Sequence, residues 1–314
     1  MLVAIGACYL DTILTTQYYP GEDEKLRATN VTRRRGGNCP NMLEVLQQLT
    51  FHESTVEELP LALITILPAK SSIASQQIKS AFGTRVNLDH CIYREEFEEP
   101  ASCYIIKSQS TGSRTIVNYN SLTEMTLEEF TGVANELGPK ARWFHFEGRT
   151  PEITLQFIHY LRKNYPSLKV SVEIEKPGRQ GLQELAEEAD VVFYSKIWAK
   201  DLGYRTAEMC LREQSTRVHK ASLLCCTWGE AGASALEPNT GNFVNVAAYT
   251  TENFQVIDPI GAGDTFIAGM LYALNCKGKD WDLSKKLAFA NRVAGMKVSQ
   301  EGFAGLDRAL ASFV

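Results

Sequence analysis

The stretch Asp258-Pro-Ile-Gly-Ala-Gly-Asp264-Thr-Phe266 sets two glycines around an alanine directly ahead of a carboxylate and an apolar run. Gly261, Ala262 and Gly263 carry no bulk to hold an anion away from their backbone N–H groups. A helix starting at this point adds the attraction of its positive end, so the turn suits a phosphate. Asp264 beside it weakens phosphate binding unless it has a separate task. The task that fits is accepting the proton of a hydroxyl as that hydroxyl attacks phosphorus.

A hydroxyl-bearing substrate needs groups that both donate and accept, and a second glycine turn offers them. Gly36-Gly37-Asn38-Cys39-Pro40-Asn41 leads into a segment in which Met42, Val45, Leu46 and Leu49 recur at helical spacing. Pro40 is tolerated in a first helical turn, and Asn38 and Asn41, three apart, share one face there. Side-chain amides match sugar hydroxyls because each partner both gives and takes a hydrogen bond. Taken singly, Asn38 reads better as a helix N-cap, and the double glycine ahead with Asn41 behind shifts the balance toward a site; Cys39 reads as a small packing residue. Asp11, at the end of the apolar run from Leu2, is a further candidate ligand group if that run is a parallel strand.

The elements that must position these residues follow from the pattern of apolar positions. Leu2–Asp11 is predicted as one buried strand, Glu24–Arg35 as a weak exposed strand, and Ser72–Phe82 as a helix between strands at Leu61–Leu67 and Val86. Cys103–Ser108 and Thr115–Tyr119 flank Ser110-Thr-Gly-Ser113 as a hairpin, with Arg114 at its base able to reach phosphate oxygens. From Trp143 onward strands (143–146, 169–174, 191–194, 222–227) alternate with helices (151–164, 181–188, 206–212), the signature of a parallel sheet covered on both faces. Phe254–Ile257 is predicted as the strand entering the phosphate turn, and Thr265–Leu274 as the buried helix leaving it. Glu147-Gly-Arg149, Glu173 to Lys176 and Trp228 to Gly232 fall where such strands end, the usual place for ligands.

Composition narrows the partners. The chain has 314 residues, 44% of them hydrophobic, with a net charge of −5. That charge argues against nucleic acid, whose phosphates demand an excess of Lys and Arg. The short run Arg33-Arg34-Arg35 reads as a solvated strand end. Eight cysteines with no C-x-x-C pair read as buried thiols of a reducing compartment. With no charged leader and no membrane-length apolar run, a cytoplasmic location is the expectation.

Together, Arg35-Gly-Gly-Asn38 with Asn41, Gly112-Ser-Arg-Thr-Ile116, His145-Phe-Glu-Gly-Arg149, Val170-Ser-Val-Glu-Ile-Glu-Lys-Pro177, Asp258-x-x-Gly-Ala-Gly-Asp264 and Gln300-Glu-Gly-Phe303 make the chain resemble the ribokinase-like (PfkB) carbohydrate kinases from end to end. It is most similar to the branch that phosphorylates a ketose at its C1 hydroxyl. The resemblance implies one kinase domain over residues 1–314, a three-layer αβα sandwich with a mostly parallel sheet. It also implies a small β-sheet lid from about 12–35 and 100–120 that closes over the site and pairs with a second subunit, where Asp23 reaches the partner's sugar site.

Carried over by position, the resemblance gives Asp11, Gly37, Asn38 and Asn41 to the sugar, and Arg114 and Lys176 to the phosphates. Gly261, Ala262 and Gly263 form the anion hole and Asp264 is the base. Gly229, Glu230, Gly232, Phe266 and Asn291 fall on the nucleotide side. The implied cofactors are ATP and Mg²⁺, whose ligands stay unassigned because Tyr194-Ser-Lys-Ile-Trp198 stands where many members carry Asn-x-x-Glu. A K⁺ site is doubtful, because Pro259 stands where the family has threonine and so lacks a hydroxyl and an N–H. The implied reaction is ATP-dependent phosphorylation of D-fructose at O1. Ribokinase, fructose 6-kinase and adenosine kinase activities stay open as alternatives, as does a catalytically weak nucleotide- or sugar-binding regulator.

Overall fold

The computed structural model describes residues 1–51, 59–311 and 313. In chain order the first strands and helices are β1 (Leu2–Ile5), β2 (Tyr9–Thr16), β3 (Asn30–Gly36), α1 (Asn38–Phe51), β4 (Leu61–Ile64), β5 (Ile66–Pro68), α2 (Ile73–Phe82), β6 (Val86–Asn87) and β7 (Ile92–Arg94). Then come β8 (Ser102–Ser108), β9 (Arg114–Tyr119), α3 (Leu127–Leu137), β10 (Trp143–Glu147), α4 (Pro151–Asn164), β11 (Lys169–Ile174), α5 (Leu182–Glu188) and β12 (Val191–Tyr194). The last are α6 (Lys196–Asp201), α7 (Ala207–Ser215), β13 (Leu223–Thr227), β14 (Ala233–Glu237), β15 (Asn242–Val246), α8 (Ala262–Cys276) and α9 (Leu283–Val298).

A nine-stranded sheet, ordered β15-β14-β13-β12-β11-β10-β1-β4-β6, forms the middle layer. Its strands from β6 to β13 pair in parallel and β14 and β15 add an antiparallel edge. The parallel strands are apolar on both faces because helices cover both. One core packs α1, α8 and α9 on one face, through Met42, Leu46, Leu271 and Phe289. The other packs α3, α4, α5 and α7 through Phe130, Phe157, Leu185 and Leu211. Phe130 and Phe157 stack there with centroids 4.3 Å apart. Six of the eight cysteines are buried, and all are free thiols.

A separate four-stranded sheet, β3-β2-β8-β9, stands over the carboxyl ends of the parallel strands and is called the flap here. Its hairpin, β8 to β9, follows the predicted turn. The apolar run from Leu2 does not make one strand. It breaks at Gly6-Ala-Cys8, so β1 stays in the central sheet while β2, carrying Asp11, crosses into the flap. Only Asn30–Gly36 of the weak strand is extended in a sheet. Phe254–Ile257 forms no strand. Val256 and Ile257 are exposed, and the N–H groups of Ile257 and Asp258 bond to the Val298 carbonyl at the end of α9.

The basic run also departs from its reading. Arg33 is exposed, but Arg35 is buried against Glu44, its guanidinium 4.6 Å from the centre of the Phe82 ring, and Arg34 bonds to Asp258. The sequence carries no signal for this, since both partners lie on other elements. Helices α3, α6 and α9 add to the predicted set. Each has its own cap, and Thr126 with Glu129 forms a capping box at the start of α3.

Candidate active site

Where the parallel strands end, α1 and α8 start side by side and the flap closes the top, leaving a cavity of about 600 Å³. Gly261 is the N-cap of α8 with φ 80°, a left-handed conformation that glycine adopts without strain. It thereby aims the first N–H groups of α8 at the cavity floor. Gly37, φ 105°, does the same for α1. Both glycines, with Ala262, Gly263 and Asp264, line the cavity, as do Asp11, Asn38, Asn41, Arg114, Lys176 and Phe266.

Asp264 lies in the first turn of α8 and is only 7% exposed. Asn41 donates from Nδ2 to its Oδ2 at 2.8 Å. The other end of that amide accepts from Arg35 Nη1 at 3.3 Å. A guanidinium can only donate, so Arg35 fixes the amide with its oxygen inward and its NH₂ on Asp264. Burial pushes the Asp264 carboxyl up to about 8, against the hydrogen bond from Asn41 and with the repulsion of Glu175 and Glu147.

Asn38 sits one turn earlier on α1. Its Nδ2 donates to Glu173 at 3.0 Å and to Glu175 at 3.1 Å, so it bridges two acids at the end of β11 rather than capping its helix. Burial, followed by the charges of Asp264 and Glu175, drives Glu173 well above the ordinary carboxylate range. Glu147, at the end of β10, accepts from the Ala7 N–H at 2.9 Å and is raised by burial. Asp11, on the flap, is raised by burial against a hydrogen bond from Cys103 and the charges of Arg34 and Arg35. Five carboxylates, Asp11, Glu147, Glu173, Glu175 and Asp264, therefore line one cavity with Arg114, Arg149, Lys176 and Arg179, and burial with mutual repulsion raises Glu173 and Asp264. Among the described residues no three Asp, Glu, His or Cys side chains converge as a metal site by themselves.

Asp258, at the root of the phosphate turn, is held from two sides. Lys297 Nζ, fully buried on α9, donates to its Oδ2 at 2.7 Å and to its carbonyl at 2.9 Å. Arg34 Nη1 donates to the same Oδ2 at 3.1 Å. Burial works to raise Asp258, but the Lys297 hydrogen bond and charge prevail and its pKa is lowered. Sequence reasoning missed Lys297 and Arg34. The signal for Lys297 is its place on the apolar face of α9, seven residues after Ala290 and four after Val293.

The remaining predicted residues lie outside the cavity lining. Gly229 and Glu230 form a single 3₁₀ turn after β13, and Glu230 pairs with Lys196 at 3.0 Å beside the rim residues Ser195 and Ile197. Gly232 follows with φ 91°. Asn291 is buried and donates to the carbonyls of Val246 and Ala247 at 2.8 and 3.1 Å, which ties α9 to the end of β15. Asp23 is exposed in the loop between β2 and β3.

A glycine turn at a helix start, a buried carboxylate and side-chain amides thus meet at one cavity under the flap. Residues 1–307 match the model of the pfkB family carbohydrate kinases, and the chain belongs to that family. It is a sugar kinase with the ribokinase-like fold. It is 32% identical over 312 residues to ketohexokinase of Mus musculus, covering 97% of this chain and 98% of that one. Its fold matches ribokinase of Giardia lamblia with a TM-score of 0.78 at 16% identity, over 100% of this chain and 99% of the other. Arabidopsis thaliana ribokinase complexed with ribose and ATP matches with a TM-score of 0.75 at 18% identity, over 99% and 97%.

Proposed function

We propose that this sugar kinase transfers the γ-phosphoryl group of ATP to a ketose, D-fructose at O1, giving fructose 1-phosphate and ADP. The observation that carries this reading is Asp264. It is a buried carboxyl raised to about 8 and set in the first turn of the helix whose N-terminal N–H groups form the anion turn. A base with a pKa near the operating pH takes a hydroxyl proton efficiently, and it stands beside the charge that develops on the phosphoryl oxygens. The identity to the murine ketohexokinase supports the choice of ketose and carbon.

In this reading Asp11 and Asn38 hold sugar hydroxyls, and Asn41 acts through the carboxylate it orients. The N–H groups of Gly261, Ala262 and Gly263 meet the transferring phosphoryl group, joined by Arg114 from the flap and Lys176 from the loop after β11. Gly229, Glu230, Gly232, Phe266 and Asn291 shape the nucleotide side. Mg²⁺ favours a carboxylate or two together with phosphate oxygens, so Glu173 and Glu175 would be the residues to hold it, and it would supply charge to neutralise the phosphates of ATP. The residues do not fit K⁺ at Asp258, because Lys297 already fills its carboxylate and carbonyl.

The flap acts as a lid that excludes water. Its exposed residues Tyr104, Val117 and Tyr119 cover a second subunit in a homodimer, which brings Asp23 toward the partner's site. Measuring ADP release with fructose, tagatose, ribose, fructose 6-phosphate and adenosine, and locating the phosphate on the product, tests the substrate. Ribose or adenosine as the best acceptor overturns the ketose reading, and ADP release with none of them favours a regulator.

A further inference from the structure

Arg34 is the cross-strand partner of Asp11, so both side chains project from one face of the flap. On one side its Nη1 is hydrogen-bonded to Asp258 at 3.1 Å. On the other its Nε stands 3.9 Å from Asp11 Oδ2, an ion pair too long for a hydrogen bond. Its Nη2 is buried and has no partner. Asp11, Arg34, Asp258 and Lys297 thus form a row of alternating charge from the flap to the root of the anion turn, closed at its far end by the 2.7 Å bond from Lys297. Asp258 also accepts from the Ile260 N–H at 3.0 Å, so a pull on its carboxylate bears on the backbone that leads into Gly261.

From this geometry we infer that Arg34 is a positioning residue: it latches the flap onto Asp258 and so sets the distance between the acceptor hydroxyl held by the flap and the phosphoryl group held by the turn. The inference rests on the sugar-kinase reading of the cavity. A guanidinium suits the task because its planar fork holds two carboxylates in a fixed geometry, which the flexible point charge of a lysine or the neutral amide of a glutamine does not impose. The unpartnered Nη2 and the loose pair to Asp11 leave the guanidinium donor capacity to spare between the flap and the turn. Without the latch the flap still folds on its own ladder, but the hydroxyl no longer arrives in register. Water can then take the phosphoryl group instead, giving ADP and inorganic phosphate.

The test compares wild type with Arg34→Gln and Arg34→Lys, measuring ADP, sugar phosphate and inorganic phosphate in the same reaction with the wild type's best acceptor. Arg34→Gln lowers kcat by about tenfold to a hundredfold, as expected for a misplacement of the order of 1 Å, and leaves ATP affinity unchanged. It also raises the share of ADP released without sugar phosphate, and Arg34→Lys recovers part of the coupling. An Arg34→Gln enzyme that folds and keeps both the wild-type kcat and the wild-type ratio of sugar phosphate to ADP overturns the inference. So does a loss of rate that only follows the folded fraction, read from circular dichroism. If the wild type prefers an acceptor other than a ketose, the substrate reading fails while this comparison stands, because it is run with that acceptor.

Discussion

Asn41 holds Asp264 by a 2.8 Å hydrogen bond from its amide nitrogen, and Arg35 holds the oxygen of the same amide. The Asp264 carboxylate is therefore aimed by a buried cation that reaches it through one intervening amide. Asn41→Leu leaves both Arg35 and Asp264 facing an apolar group in a buried site. Unfolding free energy should fall by about 1–3 kcal/mol, and sugar-dependent kcat by more than the KM for ATP changes. Denaturant titration and initial rates check the two effects. A wild-type kcat in this variant would show that the carboxylate needs no such aim.

Asp264 must be unprotonated to accept a proton, and its carboxyl titrates at about 8. The kcat/KM for the sugar should therefore rise with pH through about 8 and level off above it. Asn41→Asp places a second acid against it and should move that rise to higher pH. A rate profile already flat by about pH 6 would assign the ionisation to another group.

The same shift has a cost in stability with a definite sign. The folded pKa of about 8 lies above the ordinary 3.8. Between these values the unfolded chain has released the proton while the folded chain keeps it, so stability is lost as pH rises from about 4 to about 8. Asp264→Asn, neutral throughout, escapes this loss. Its Tm should exceed that of wild type at about pH 8.5 and match it more nearly at about pH 5. An equal Tm difference at both values would contradict the raised pKa.

The flap carries exposed Tyr104, Val117 and Tyr119, and among the described residues β9 has no strand on its outer side. An open edge with apolar neighbours favours pairing with a second copy. Sedimentation velocity should show a dimer that Val117→Glu dissociates. A wild type that stays monomeric at every concentration tested removes the dimer from the account.

Much of the architecture is legible because apolar periodicity and turn residues agree with it. Pro151–Asn164, Lys169–Ile174 and Val191–Tyr194 fall where their patterns end, and the glycine turns at Gly37 and Gly261 sit where only small residues fit. What escapes the sequence depends on long-range partners. The run from Leu2 has no charge or proline to show that Gly6 sends β2 into another sheet. The charges of Arg34 and Arg35 read as solvated because Asp258, 224 positions after Arg34, and Glu44 on α1 are not local. Phe254–Ile257 has strand composition but no ladder to join, since the Val298 carbonyl takes its hydrogen bonds. At the cavity, residue types announce the glycine turn and the carboxylate beside it, while the fixed orientation of Asn41 and the bridging of Glu173 and Glu175 by Asn38 emerge only from packing.

The most direct measurement is ADP release by Asp264→Asn with and without sugar, alongside its affinity for ATP. Loss of the proton acceptor should lower sugar-dependent turnover by about a thousandfold while ATP binds as it does to wild type. An Asp264→Asn enzyme that phosphorylates its sugar at a rate near wild type would contradict the account at its centre.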